Sequence, residues 1–372
     1  MTRRLFAIFI NLFFFFFTFS TISFAQSPEI KEQFYKAEVV EIVSEGIIFV
    51  PEGQDVPYQT ISVNILDGDK KGEQLTIEHG KLTTLREDQK VRVGEKVVLL
   101  QLPTPNGVQY QIIDRYRLDT LLPILFFFFV LVVALSRWKG VGSIVGLVIS
   151  LSVILFFIVP QILAGRDPLF ISIVGSLFIM ATTIYFAHGF SRKTHIALLS
   201  TTISLTLTGF LAYVFVELAQ LTGLGNDDAN SLRFGVTETI NFQGLLLGGI
   251  IIGALGVLDD ITTSLSAVIE ELKKANPNYS FQRLVTSGFR VGSEHIASLV
   301  NTLVLAYAGA GLPLFLFLIV NPLGHPLWVI INSEIIVEEI IRTLAGSIGL
   351  VFAVPITTLL ASWFVTRKKE RA

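Results

Sequence analysis

The residue types best suited to chemistry stand together at Gly253-Ala-Leu-Gly-Val-Leu-Asp-Asp-Ile-Thr-Thr-Ser264. Two adjacent carboxylates, Asp259 and Asp260, precede the hydroxyls of Thr262, Thr263 and Ser264. Carboxylate and hydroxyl oxygens suit a hard cation such as Mg²⁺, Ca²⁺ or Na⁺, or a proton. Acids beside lipid are costly and need a cation, a proton or water near them. A plainer reading makes Thr262, Thr263 or Ser264 the cap of a new helix, with Glu270 and Glu271 ahead of Lys273 and Lys274 on an amphipathic segment. Asp259 and Asp260 are then exposed charges at a membrane boundary. The residues alone leave both readings open.

Two further clusters carry charge. Arg290 and Glu294 are spaced as a helical ion pair, and His295 follows at the depth expected for the aspartates. A histidine and a carboxylate at one level can relay protons or hold a metal, whereas a lone histidine can equally be satisfied at an interface. Asn301, deeper in the same segment, reads as glue between helices. Glu334, Glu338 and Glu339 form an acidic group before the last apolar run, with Arg342 one turn beyond Glu338. They read as an outer acidic entrance for cations or as a solvated rim.

These residues need elements to hold them, and the apolar runs supply candidates. Seven spans are expected: Leu121–Leu135, Val141–Val159 ended by Pro160, Leu169–Ala187, Ile196–Val216, Phe242–Leu258, Ile296–Val320 and Ile340–Val365. A bilayer core needs about 20 helical residues, so the first and fifth are short. Gly248, Gly249, Gly253 and Gly256 on the fifth, and Gly346 and Gly349 on the seventh, permit close helix packing. Gly309, Gly311 and Pro313, and Pro355, are expected kink sites. Segments 136–140, 188–195, 259–295 and 366–372 carry twelve Lys and Arg residues, whereas 160–168, 217–241 and 321–339 carry only Arg166 and Arg233. Cytoplasmic loops collect Lys and Arg, so the C-terminus is expected inside and the residues before the first span outside.

The N-terminal third differs in kind. Arg3 and Arg4 precede an apolar stretch from Leu5 to Phe24, and Ser23-Phe24-Ala25 offers small residues for cleavage. Residues 1–25 therefore read as a secretory signal peptide, or as an uncleaved anchor. Residues 26–119 read as an exported β-rich domain. Ile61, Val63 and Ile65 alternate, as do Leu75 with Ile77 and Val91 with Val93. Val97–Leu102 and Val108–Ile113 flank Pro105-Asn106-Gly107, a hairpin signal. Five or six short strands suggest a small closed barrel of the OB or SH3-like kind. His79 stands alone and reads as a surface residue. Residues 120–366 form the helical domain and 367–372 a basic cytoplasmic tail.

Composition bounds the chemistry. Of 372 residues, 52% are hydrophobic and 16% charged, and the net charge is −2. A soluble domain carries roughly a quarter charged residues, so lipid is the expected solvent. A balanced charge gives no general attraction to nucleic acid. With no cysteine, disulfides, zinc–thiolate sites and thiol nucleophiles are excluded. No phosphate-binding GxxxxGK motif, HExxH or GxSxG occurs.

The run Gly253–Ser264 resembles a signature of the YibE/F-like membrane protein family. Val291-Gly-Ser-Glu-His-Ile-Ala-Ser-Leu-Val-Asn-Thr-Leu-Val-Leu-Ala-Tyr-Ala-Gly-Ala310, Glu338-Glu-Ile-Ile-Arg-Thr-Leu-Ala-Gly-Ser-Ile-Gly-Leu350 and Val354-Pro-Ile-Thr357 are similar to it too. Leu265 departs from the pattern, where a polar residue is common. The resemblance implies a multi-pass bacterial plasma-membrane protein and no assigned catalytic residue. Three activities follow from the residues. The first is a permease for a small ion or solute, with Asp259, Asp260, Thr262, Thr263, Glu294 and His295 as the ion or proton site. The second is a Mg²⁺-dependent enzyme acting on a lipid phosphate. The third is a scaffold for an exported protein or for further copies of the chain. Beyond a cation, no cofactor is expected.

Overall fold

A computed structural model describes residues 33–48, 56–80, 85–104, 107–235, 240–321 and 324–367. The expected signal segment, residues 1–25, and most of the tail lie outside them. The chain divides into two units, one ending at Leu131 and one beginning at Val132.

The first unit is a five-stranded antiparallel sheet. Its strands are β1 (Gln33–Ile48), β2 (Val56–Ile65), β3 (Gln74–His79), β4 (Lys96–Thr104) and β5 (Gly107–Arg115), in the order β3-β2-β1-β4-β5. Alternation decides which face is inside. Ile61, Val63 and Ile65 are fully buried with Tyr35, Ala37, Val39, Val97 and Leu99. β1 serves both β2 and β4, and register shifts between Val39 and Glu41 and between Ile42 and Ser44 let so long a strand coil. Gly107, at φ 121°, opens β5 where the hairpin was expected.

Two expectations for this unit are corrected. Val91 and Val93 form no strand. Val91 plugs the core, held by the Gln59 side chain, which accepts from Val91 N at 2.8 Å and donates to Val91 O at 3.1 Å. Val93 is 60% exposed, ahead of the turn at Gly94. His79 is buried, not on the surface, because it ends β3 opposite the buried Gln59. Its Nε2 lies 3.4 Å from the Gln89 carbonyl, and burial pushes the imidazole below its usual range.

The helical elements are α1 (Leu118–Val153), a π turn (Ile154–Ile158), α2 (Val159–Leu163), α3 (Pro168–His188), α4 (Arg192–Leu218), α5 (Asp227–Gly235), α6 (Phe242–Ala275), α7 (Phe281–Ala310), α8 (Leu312–Val320), α9 (Leu327–Ile331) and α10 (Glu334–Thr366). Among the described residues five helical segments are long and apolar enough to cross a membrane, or six if α7 and α8, bent by 65°, count as one. That bend falls at the expected Gly311 and Pro313, where α8 starts.

Several boundaries differ from the expected ones. Helix geometry runs past Pro160 to Leu163, because Pro160 falls in the first turn after the π turn, where its missing N–H costs little. α1 is interrupted at Arg137, at φ 52° and ψ −132°. A Cβ on Gly140 would lie 2.5 Å from the Val132 carbonyl oxygen. Eight residues along a straight helix are about 12 Å apart, so the chain doubles back at Arg137. The expected loops 217–241 and 321–339 hold α5 and α9, and 259–295 holds only the turn from Asn276 to Ser280 between two long helices.

Small residues order the packing. A Cβ on Gly248 would lie 2.2 Å from Ser172 Oγ, and one on Gly244 would lie 3.2 Å from Pro168, so α3 and α6 run the same way. Gly209 meets Ile251 while Thr201 meets Thr262, so α4 runs against α6. Gly346 meets Leu303, Gly292 meets Val354 and Gly288 meets Thr358, so α10 runs against α7. Leu258, Ile261, Leu265 and Ile269 form the stripe of α6 that fills the core.

Candidate functional site

The aspartate pair lies inside a helix. α6 is continuous from its Asn241 cap to Ala275, so the expected end at Leu258 and the new cap at Thr262–Ser264 are both corrected. The buried stripe explains it: Ile261, Leu265 and Ile269 continue the face that Leu258 belongs to, and no proline intervenes. Asp259 lies seventeen residues past Phe242, or roughly 26 Å along the axis at 1.5 Å per residue.

The hydroxyls turn back on their own helix. Thr263 Oγ1 donates to Asp259 O at 2.8 Å, and Thr262 Oγ1 reaches the same carbonyl at 3.2 Å. Such back-bonding satisfies a threonine in a helix and takes its hydroxyl away from a ligand. Thr262 Oγ1 also lies 2.5 Å from Thr201 Oγ1 of α4. Leu265, the departure from the family pattern, is fully buried in the core.

The two carboxylates differ. Asp259 Oδ1 is buried with no hydrogen-bond partner among the described residues. Asp260 opens into a cavity of about 290 Å³ that it shares with Lys139, Lys193, Thr194, Thr263 and Ser264. Glu294 is exposed and His295 half-buried, and among the described residues neither is hydrogen-bonded or ion-paired to an aspartate, nor is Glu294 paired with Arg290. Among the described residues no three His, Asp or Glu side chains converge as a metal-holding group.

Buried hydroxyls lie on the three helices α4, α6 and α10, which pack on one another. Ser200 and Ser204 of α4, Ser266 of α6, and Ser347, Thr357, Thr358 and Ser362 of α10 are buried with side-chain oxygens that have no partner among the described residues. Ser347 and Ser362 are fifteen residues apart, roughly 22 Å of helix. α4 was expected from its apolar run, and α10 from its apolar run, packing glycines and Pro355; these hydroxyls were not singled out on either. The signal was the Ser/Thr recurrence at positions 200, 201, 204 and 208, which follows a helical face.

The outer acids have separate partners. Glu334 Oε1 accepts from Thr222 N, Thr222 Oγ1 and Gly223 N at 2.6, 2.7 and 3.0 Å. Glu338 is 2% exposed and accepts from Gly225 N at 3.0 Å. Arg342 pairs with Glu339 at 3.2 Å, not with Glu338 as its spacing suggested. Of the expected packing glycines, Gly248 and Gly349 make the closest approaches, Gly249, Gly253 and Gly346 face side-chain ends, and Gly256 faces open space, so it is no packing site.

A set of long apolar helices with buried polar groups, in a chain that also carries an antiparallel sheet unit, defines a membrane-embedded helical protein. Residues 124–367 match the family described as YibE/F-like protein, and the chain belongs to that family. No curated protein and no solved structure matches it.

Proposed function

We propose that the helical unit is a permease for a small ion or small polar solute, conducted along the hydroxyl seam of α4, α6 and α10 with Asp259 and Asp260 at one end. The observation that carries this is the buried Asp259 Oδ1, without a partner among the described residues, on a helix packed against two others whose buried hydroxyls equally have none there. A buried polar atom without a partner costs about 1–3 kcal/mol, and more if charged, so this many of them along one seam argues for occupants that supply the missing bonds.

The finer topology belongs to the same proposal. Counting the two arms of the segment Leu118–Leu163 separately, and α7 with α8 as one, gives seven spans. The alternating directions of α3, α4 and α6, and of α7 and α10, agree with that count. The sheet unit then lies outside a bacterial plasma membrane, after an N-terminal signal, and the basic ends lie inside. β3 and β5 are the edges that a closed OB-type barrel would join.

One observation favours the second reading, a lipid-phosphate enzyme. Lys139 and Lys193 share the Asp260 cavity with three hydroxyl-bearing residues, a set that could hold a phosphate. The two readings separate in one experiment: thermal unfolding of the purified chain with monovalent cations, Mg²⁺, protons and lipid phosphates, for wild type and Asp259→Asn/Asp260→Asn. A ligand at about 100 times its dissociation constant stabilises by roughly 2.7 kcal/mol. A shift with a cation alone, lost in the variant, supports the permease. A shift that needs Mg²⁺ and a lipid phosphate together supports the enzyme. No shift with any ligand counts against both.

A further inference from the structure

The first turn of α4 is charged against its own dipole. Arg192 and Lys193 stand immediately after the Ser191 cap, with His195 two residues on. A helix N-terminus is already positive, so cations there are disfavoured and anions favoured. Among the described residues the Arg192 side chain makes no hydrogen bond or ion pair. Lys273, at the opposite end of α6, donates to Tyr279 O at 2.7 Å, and Lys274 is paired with Glu270 and Glu271 at 3.1 and 2.8 Å. Two cationic groups, Arg192 of α4 and Lys273 of α6, thus line one cavity, and among the described residues no carboxylate is bound to either.

This half-open cavity of about 710 Å³ has a mostly apolar wall; Glu270 lines it too, its carboxylate held by Lys274, so Arg192 and Lys273 leave the lining net positive. Leu199 of α4 and Phe364 of α10 line it and are 41% and 44% exposed. Beside it Arg367 lies over the Trp363 ring at 4.0 Å, an arrangement suited to the headgroup level of a bilayer. The volume is that of a site for a ligand of drug size, enough for a headgroup, its glycerol and the first methylenes of the chains. A net positive charge and hydrocarbon in one cavity describe one kind of occupant.

We propose that this cavity is a binding site for one anionic phospholipid, its phosphate against Arg192 and Lys273 and its acyl chains against Leu199 and Phe364. The site is separate from the Asp260 cavity. A lipid held there bridges the starts and ends of α4, α6 and α10, and binding stabilises the packed bundle. A zwitterionic lipid lacks the net charge, and free phosphate lacks the chains.

The test uses the purified full chain in detergent, with added phosphatidylglycerol, phosphatidylcholine or inorganic phosphate, read by thermal unfolding. The expected result is a saturable rise in Tm with phosphatidylglycerol alone, lost in Arg192→Gln/Lys273→Gln. An equal rise with phosphatidylcholine, a rise with inorganic phosphate alone, or an undiminished rise in the variant overturns the proposal. If the variant does not fold, Trp363 fluorescence in a Trp138→Phe/Trp328→Phe protein decides instead. In nanodiscs, brominated phosphatidylglycerol should quench Trp363 at a lower mole fraction than brominated phosphatidylcholine, and identical curves overturn the site.

Discussion

Replacing Gly349 by alanine should loosen the bundle, and the structure sets the size of the effect. The new Cβ would lie 2.0 Å from Thr208 Oγ1 and 3.0 Å from Thr208 Cβ and Cγ2. Thr208 is fully buried, and its hydroxyl donates to Ser204 O at 2.8 Å. Rotating χ1 moves the oxygen but leaves the Cβ contact, so α4 and α10 must part. Overpacking of this kind costs about 1–3 kcal/mol. Alanine also gains roughly 1 kcal/mol of helix propensity over glycine, which blurs the reading of one variant. Gly256→Ala removes that ambiguity. It has the same propensity gain, and its Cβ meets nothing within 4 Å. The difference between the two variants is therefore the clash alone, about 2 kcal/mol. For a unit of this size that is roughly 4–8 °C in Tm, with Gly256→Ala at or above wild type and Gly349→Ala below it. Thr208→Ala should recover part of the loss in the Gly349→Ala background, a coupling of the kind contacting residues show. Equal melting temperatures for the two glycine variants would refute the packing of α4 on α10.

Glu334→Ala leaves three donors of the segment after α4 without their acceptor. Charge-assisted bonds contribute about 1.5–3 kcal/mol each, so hydrogen exchange at Thr222 and Gly223 should accelerate while the core of α6 stays protected; unchanged exchange would show that Glu334 does not hold this segment. The sheet unit should weaken in acid through His79. Its folded pKa lies below the unfolded value of about 6.5, so the unfolded state takes up the proton first. Stability is complete above that value and declines as pH falls below it. Exchange protection of β3, corrected for intrinsic rates, should drop between neutral pH and mild acid in wild type and stay level in His79→Gln.

How much was legible depended on whether a local pattern matched the three-dimensional reason for it. Ile61, Val63 and Ile65 alternate because one face of β2 is core, so the strand was readable. β1 was not named, although it is the longest strand, because its two register shifts break the period around Val40 and Val43. Val91 alternates with Val93 as strand residues do, but the Gln59 side chain, not a neighbouring strand, pairs with it. In the helical unit the apolar runs were clear. The continuity of α6 was hidden because Asp259-Asp260 resembles a membrane boundary, while the buried stripe that continues past the pair argues against one. The seam was hidden for another reason. Serine and threonine in an apolar helix can satisfy themselves on the preceding turn, so only the packed arrangement distinguishes Ser150, bonded to Gly146 O, from Ser200, bonded to nothing described. Lys139 and Asp260 share a cavity across more than a hundred residues of sequence, a distance that no spacing argument bridges.

The most direct test of the account is ion flux. The full chain, reconstituted in liposomes, is given gradients of protons and of monovalent and divalent cations in turn, beside Asp259→Asn/Asp260→Asn and Gly256→Ala. Flux of at least one ion above protein-free liposomes is expected for wild type and Gly256→Ala, falling to background in the aspartate variant that still incorporates and unfolds cooperatively. Undiminished flux without the carboxylates, or wild-type flux that never exceeds protein-free liposomes for any ion, would contradict it.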